Sequence, residues 1–419
     1  MASIDVARRT LRWAEARAHV LGAVRVLPSE PAALLAARGR ALREDVIAPH
    51  ALPPFRNSSM DGFAINAADL ASATASSPVV LQVVGVIPAG NIAPRPLARG
   101  ESMRIMTGAE VPPGADAVVP FEDVEASGSE SAPRFTRPVA PGAHLRDAGE
   151  DVGAGEHVLL AGRELSAHDL ALIGALGMPT IAVGPRPTVA ILSTGDELLE
   201  IGEVLRPGTI RDSNTSMLQL LLEEAGCAVT RVERLSDNPA LVIERMREAF
   251  SVVDVTITIG GISMGDFDPV KQSLATLGGI EWWRVAMKPG QPQAFGTPGG
   301  RLYFGLPGNP ASVACVFEAI VRPALRALQG FATLDRPRLS VRSTVAVESR
   351  AGRTDFVRAI LERRDDGWWA TPAGAQVSGH LRPQSRAHAL LVVPEESESL
   401  AAGAPAEAWV LRWPDTPYP

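Results

Sequence analysis

From Pro187 onward, short apolar runs alternate with segments whose apolar positions recur every three or four residues. VAILSTG reads as a buried strand, and SMLQLLLEEAG as a helix with apolar positions 218, 221, 222 and 225. AVTRVERL follows as a strand, PALVIERMREAF as a helix, and VVDVTITIGG as a second buried strand. PVKQSLATLG then reads as a helix, LYFGLPG as a strand, and PASVACVFEAIVRPALRAL as a long closing helix. This alternation implies a mostly parallel sheet covered on both faces, a three-layer αβα domain over residues 183–330. Ligands bind such sheets at the carboxyl ends of the strands, where loops lead into helices.

The flanks have other rhythms. Residues 1–50 read as helical and, with 148–182, form an expected N-terminal elongated helical domain. Within 148–182, Ser166 opens the helix SAHDLALIGALG, with Asp169 completing a capping box and Gly177 as its stop. Residues 51–147 show β-type runs such as VVLQVVGVI and MRIM, broken by Pro/Gly turns and a loose SGSESAP loop. They predict an inserted β-rich domain. Residues 331–419 return to β patterning, with FVRAILERR and WWATP flanking an Asp-Asp-Gly turn, and predict a small C-terminal β-barrel. The expected fold class is therefore a multidomain α/β chain.

Composition narrows the chemistry. The 419 residues are 46% hydrophobic and 21% charged, ordinary for a soluble globular protein, with no run of 18 apolar residues. The N-terminus carries Asp5 and Glu15 and lacks an export signal's apolar core, so a cytoplasmic location is expected. Cys227 and Cys315 sit in apolar contexts without ligand spacing and predict buried thiols. A net charge of −7 gives no support for a nucleic-acid surface, and an anionic ligand would need a local cationic pocket. Only two of the 40 basic residues are lysines, Lys271 and Lys288. A retained lysine in an arginine-using chain marks a place for a compact point charge, or is coincidence.

Three helices of the middle domain open with an Asx-Pro pair: Asn238-Pro239, Asp268-Pro269 and Asn309-Pro310. Each offers a side-chain cap and a proline where its missing donor costs nothing. Two follow glycine-rich turns, GGISMGDFD (Gly260, Gly261) and GLPGNP (Gly308, Asn309). Glycines allow close approach of the backbone, and N–H groups at a helix start attract phosphate. The nearby acids have two readings. Asp268 is a helix cap, Asp266 a solvated loop residue, Asp237 a turn residue, and Asp196 and Glu197 a first-turn pair complementing a helix dipole. Alternatively, some of these carboxylates hold Mg²⁺ against phosphate oxygens. Arg284, Lys288 and Arg301 border RVAMKPGQPQAFG; Lys288 is read as an anion-binding group and Arg301 as an ordinary surface charge.

Seven stretches in order resemble the molybdopterin molybdenumtransferase family, which includes the molybdenum-inserting domain of gephyrin. They are PPFRNSSMDGFA (53–64), RIMTGAEVPPGADAVV (104–119), AGEDV (148–152), LSTGDEL (192–198), GGISMGDFD (260–268), MKPGQP (287–292) and LPGNPAS (306–312), and the match extends into GRTDFVRA (352–359). The resemblance implies four domains, a homodimer, and a site formed across subunits. It implies insertion of molybdate into adenylylated molybdopterin with release of AMP and Mg²⁺ assistance. It also implies contact with the preceding adenylyltransferase and with molybdoenzyme apoproteins. Positions matching Asp237 and Asp268 are associated with the metal, and Glu197 with activity. Asp61, Thr107 and Asp151 match motifs that complete the site from the partner subunit. Ser263, Lys288, Pro292, Arg353 and Ser378 match places linked to molybdate or pterin phosphate, with Arg284 and Gln291 in the same segment.

Departures matter too. Gln291 stands where the family usually has lysine, which removes a charge from the expected oxyanion site. Arg284 also replaces a lysine, and Pro383-Gln384 and Ala387-His388 replace a late serine-methionine and alanine-asparagine. Two alternatives stay open: a molybdopterin adenylyltransferase, and a degenerate pterin-binding paralogue without turnover. Pyrophosphate release from ATP would mark the first, and tight binding without turnover the second.

Overall fold

The computed structural model describes residues 10–129, 131–261 and 277–414. Its largest sheet begins with four parallel strands in the order Ala228–Leu235, Thr188–Thr194, Val255–Ile259 and Leu302–Leu306. The hairpin Pro292–Gly296 and Ile280–Lys288 adds two antiparallel strands, as the mixed RVAMKPGQPQAFG segment turns back on itself. Alternate residues of Thr188–Thr194 enter different cores. Val189 and Ile191 join Leu218 and Leu222, whereas Ala190 and Leu192 join Val242, Met246 and Ala249. Both faces are thus apolar because helices cover both. The closing helix runs Pro310–Val316, widens to a π-turn at Phe317–Val321, and continues as Arg322–Gln329. Pro323 has no N–H for the preceding turn, and the widening directly precedes it.

The N-terminal expectation needs correction. Among the described residues of 1–50 only Trp13–Ala23 is α-helical, with a single 3₁₀ turn at Leu34–Ala37. Pro28 and Pro31 force the chain between them into an extended form. Glu30–Ala33 pairs with Thr180–Val183, and Val46–Ile47 with His157–Leu159. Nor does Trp13–Ala23 belong with 148–182. Its Ala16 and Val20 lie in the core of the parallel sheet, behind a strand Thr10–Arg12 that pairs with Ile280–Lys288. Trp13 also meets Phe356 and Trp409 of the C-terminal region at ring separations of 5.5 and 5.6 Å.

The Ser166 helix forms as its capping box predicts, over Ala167–Ala175, with Gly177 left-handed beyond its end. Burial pushes the Asp169 carboxyl up, but the Ser166 hydroxyl and N–H and Arg163 outweigh it and hold the group below its usual range. That stabilisation is complete above the ordinary carboxyl range and is lost as pH falls through the lowered value. Ser166→Ala should cost about 1 kcal/mol. Urea unfolding would show the loss, shrinking once Asp169 is protonated.

Residues 51–147 hold the four-stranded sheet Gln82–Ile87, Glu101–Ile105, Gly62–Ile65, Ala117–Pro120. Most of the supposed loose SGSESAP stretch is instead strand: Ser127–Ser129 belong to Val124–Ser129, and Ala132 and Pro133 to the antiparallel Ala132–Phe135. At the C-terminus, Arg338–Ser343, Thr354–Arg364, Gly367–Pro372, Ala389–Val393 and Pro405–Val410 each pair on both sides and close a five-stranded barrel. Closure removes the edges that would otherwise invite association. The barrel meets the large sheet where Met287 and Lys288 pair with Thr354 and Asp355. No helix among the described residues is long and apolar enough to cross a membrane.

Candidate functional site

A cleft of about 750 Å³ opens at the carboxyl ends of the parallel strands, where the alternation predicts ligand binding. Thr194, Gly195 and Glu197 come from the first strand's loop, Asp237 from the next, Gly260 and Gly261 from the third, and Gly308 and Asn309 from the fourth. Pro292 and Gly379 complete it from the hairpin and the C-terminal region. Close approach explains two of the glycines. A Cβ on Gly195, whose φ is +144°, would sit 2.5 Å from a Glu197 carboxylate oxygen. Gly260, at φ +81°, lies against the Thr194 carbonyl, 3.0 Å from its would-be Cβ.

The helix starts behave differently from expectation. Asn238 caps its helix through Ala240 N–H at 3.0 Å, but the Asn309 side chain makes no cap bond. The Ala311 N–H is taken by the Ser378 carbonyl at 3.0 Å, so that helix start binds the C-terminal region rather than a free anion. Asp196 and Glu197 form a turn rather than the first turn of a helix, and Asp196 accepts the Asp237 N–H at 3.3 Å. The helix start that does face the cleft is Ser213–Glu224, which the loop-by-loop reading passed over. Asp212 caps it through Thr215 and accepts the Ser193 hydroxyl at 2.9 Å, so its carboxylate is fully occupied. The run RDSNTS carried the signal, an Asx cap three residues before a hydroxyl.

Two buried polar atoms at this cleft lack partners among the described residues: Thr194 Oγ1 and Asn214 Oδ1. Asn214 donates through Nδ2 to the Gly308 carbonyl at 2.6 Å, which fixes the amide and leaves Oδ1 as a pure acceptor. A buried polar atom left alone costs roughly 1–3 kcal/mol, so both call for a ligand with hydrogen-bonding groups. The charges point the same way. Glu197 and Asp237 bring carboxylates to the cleft, and the guanidinium of Arg211 donates to the Ile201 and Glu203 carbonyls. An anionic ligand here needs a cation between it and those carboxylates.

The remaining expected residues among those described do not line this cleft. Lys288 is exposed at the end of its strand, and the turn after it packs on the helix starting at Pro310, because a Cβ on Gly290 would meet Val316 at 2.4 Å. Gln293 holds that turn by donating to the Gly290 carbonyl at 2.8 Å. Arg284 and Gln291 meet each other at 3.5 Å, so Gln291 faces a guanidinium. Arg353 is engaged bidentately with buried Asp355, at 2.6 and 3.0 Å. Asp61 accepts both the N–H and the hydroxyl of Thr107, at 2.7 and 2.8 Å, which holds its carboxyl below the usual range. These two and Asp151 do not line the cleft of their own chain. Ser263, Asp266, Asp268 and Lys271 lie outside the described residues.

Other expectations concern bystanders. Arg301 approaches Asp254 at 3.9 Å, as a surface charge would. Cys227 and Cys315 are buried and free. Burial pushes the Cys227 thiol up to about 12, and that of Cys315 upward too, so neither serves as a thiolate ligand.

Three family models cover the chain in sequence. The MoeA N-terminal region (domain I and II) matches residues 11–177, the probable molybdopterin binding domain 190–327, and the MoeA C-terminal region (domain IV) 340–411. Molybdopterin molybdenumtransferase 2 of Mycobacterium tuberculosis (strain H37Rv) is 38% identical over 384 residues, covering 90% of this chain and 94% of that protein. The chain belongs to the molybdopterin molybdenumtransferase family. The Haemophilus influenzae member is 34% identical over 88% of this chain and 90% of its own length. The molybdopterin biosynthesis moeA protein of Pyrococcus horikoshii OT3 superposes with a TM-score of 0.82 at 28% identity, covering 96% of this chain and all of that one. Membership accounts for the barrel, the inserted β region and the parallel sheet together, which an adenylyltransferase reading of the sheet alone does not.

Proposed function

We propose that this chain inserts molybdate into adenylylated molybdopterin, releasing AMP and molybdenum cofactor. The observation that carries this reading is the cleft. It joins glycine turns, two buried unpartnered polar atoms and two available carboxylates at the ends of parallel strands. The relatives named above bear the name of that activity. In this reading, residues 51–147, 183–330 and 331–419 act as units, Trp13–Ala23 working with the second. The enzyme acts in the cytoplasm as a homodimer, with Asp61, Thr107 and Asp151 reaching the partner's cleft. The adenylyltransferase supplies its substrate, and molybdoenzyme apoproteins receive the product.

Mg²⁺ suits the donors present. It takes one or two carboxylates plus waters and phosphate oxygens, and the cleft offers Asp237 with Glu197 beside it. Among the described residues no group of three or more acidic, histidine or cysteine side chains forms a closed metal cage. Asp237, joined by Asp268, would hold the ion, which supplies charge neutralisation on the phosphoanhydride oxygens. Glu197, packed against Gly195, would orient the attacking water. Gly260, Gly261 and Gly308 let the nucleotide approach the backbone, and Asn214 Oδ1 accepts a hydroxyl or amine N–H from it. Ser263, Pro292, Asn309 and Ser378 line or flank the pterin phosphate, and Lys288, Arg284 and Arg353 provide positive charge around it.

Binding tests this directly. Titration calorimetry with adenylylated molybdopterin should show Asn214→Leu weakening affinity about tenfold, because a buried hydrogen bond is lost. Unchanged affinity would place the nucleotide elsewhere. Lys288→Ala should leave the melting temperature intact while lowering product formation roughly 10²-fold, as removal of one oxyanion donor does. Full turnover in that variant would remove Lys288 from the site.

A further inference from the structure

Beside the cleft, and sharing Gly379 and Leu381 with it, lies a second recess of about 520 Å³. Its lining includes His380, Arg382 and Arg386 and no acidic residue. The three side chains make no ion pair among the described residues. Two arginines and a histidine thus face one recess with no carboxylate in its lining, whereas several other arginines of this net-acidic chain carry an acid directly. Arg353 pairs with Asp355, Arg336 with Glu318, and Arg231 with Glu248.

The wall between recess and cleft is firmly built. Arg358, only 2% exposed, donates to the carbonyls of Ala375, Val377 and His380 at 3.4, 3.2 and 3.1 Å, and to the Gln376 amide oxygen at 3.2 Å. Ala375 and His380 are themselves lining residues, so this guanidinium sits directly behind the wall. It has no carboxylate among those partners, and its charge therefore adds to the potential of the recess rather than cancelling. On the cleft side the same loop bonds to the helix start through Ser378, and a Cβ on Gly379 would lie 3.8 Å from Asn309 Oδ1.

We propose that this recess, which shares Gly379 and Leu381 with the cleft, binds a multiply charged tetrahedral oxyanion. Oxyanion binding rests on the charge of the lining; that the ion is molybdate rests on the function proposed above. The same chemistry could seat the phosphate of the pterin nucleotide, and the experiment separates the two.

Equilibrium dialysis of the full-length protein with molybdate, without nucleotide and at fixed ionic strength, is compared between wild type and Arg382→Gln/Arg386→Gln. Each guanidinium–oxyanion contact is worth about tenfold in affinity, so the double variant should bind molybdate at least about tenfold more weakly. Its affinity for adenylylated molybdopterin should change less than about twofold. Arg382→Lys, which keeps a positive charge, should retain most molybdate binding and guards against a folding artefact. Unchanged molybdate affinity in the double variant overturns the proposal. So does a loss confined to the pterin nucleotide, which would make the recess that ligand's phosphate seat. Neither readout needs turnover, so the outcome stands whatever reaction the cleft performs.

Discussion

Replacing Asp237 with alanine should lower molybdate-dependent AMP release by about 10²–10³-fold while leaving the fold intact, as loss of a group that stabilises developing charge does. Asp237 lies on the exposed loop after Ala228–Leu235, and among the described residues only its backbone N–H is engaged, by Asp196. Truncating its side chain therefore breaks no packing. A phosphate ligand entering this cleft meets Glu197 as well as Asp237, and their charges oppose it unless a divalent cation lies between. Without Asp237 that cation should bind more weakly, so raising the Mg²⁺ concentration should recover part of the lost rate. A rate insensitive both to the substitution and to Mg²⁺ would show that Asp237 is only a turn residue.

The largest loss of stability is expected at Glu318, far from any chemistry. Glu318 is buried in the π-turn and pairs with Arg336 through both oxygens, at 2.8 and 2.9 Å. Arg322 lies 3.9 Å from the same carboxylate. Burial and the neighbouring Arg336 push the Arg322 guanidinium down to about 10, and Glu318 is the buried carboxylate that faces both cations. Glu318→Ala removes the shared counter-ion and should cost roughly 3–5 kcal/mol, the usual consequence of leaving a buried charge unpaired. Chemical denaturation would measure it. A loss under about 1 kcal/mol would mean that water or Glu224, 3.6 Å from Arg336, replaces the lost partner.

How legible the fold was depended on whether local pattern or distant contact decided each element. Thr188–Thr194 and Val255–Ile259 were readable because a strand covered on both faces must be apolar throughout. The Ser166 helix was readable because its cap is local, Ser166 and Asp169 bonding only each other and Arg163. Residues 24–50 were not. Their alanines and leucines favour helix, but Pro28 and Pro31 and pairing with strands some 110–150 residues away override that preference.

The candidate site divides along the same line. Gly260, Gly261 and Gly308 could be named because glycine at a strand end carries its own meaning, and the seven family motifs lay in register. Asn214 and Thr194 could not, because their significance lies in Oδ1 and Oγ1 being left without partners among the described residues after folding. Asn309 looked like a cap in sequence, yet the Ser378 carbonyl from the C-terminal region reaches the helix start first. His380, Arg382 and Arg386 carry no motif in the sequence, and only closure of the barrel and buried Arg358 set them around one recess.

The most direct test mixes the purified protein with adenylylated molybdopterin and Mg²⁺, adds molybdate, and follows AMP by chromatography. Stoichiometric AMP and a molybdenum-loaded pterin should appear only after molybdate is added. Tight nucleotide binding with no AMP at any molybdate concentration would contradict the assignment and leave a pterin-holding protein in place of a transferase.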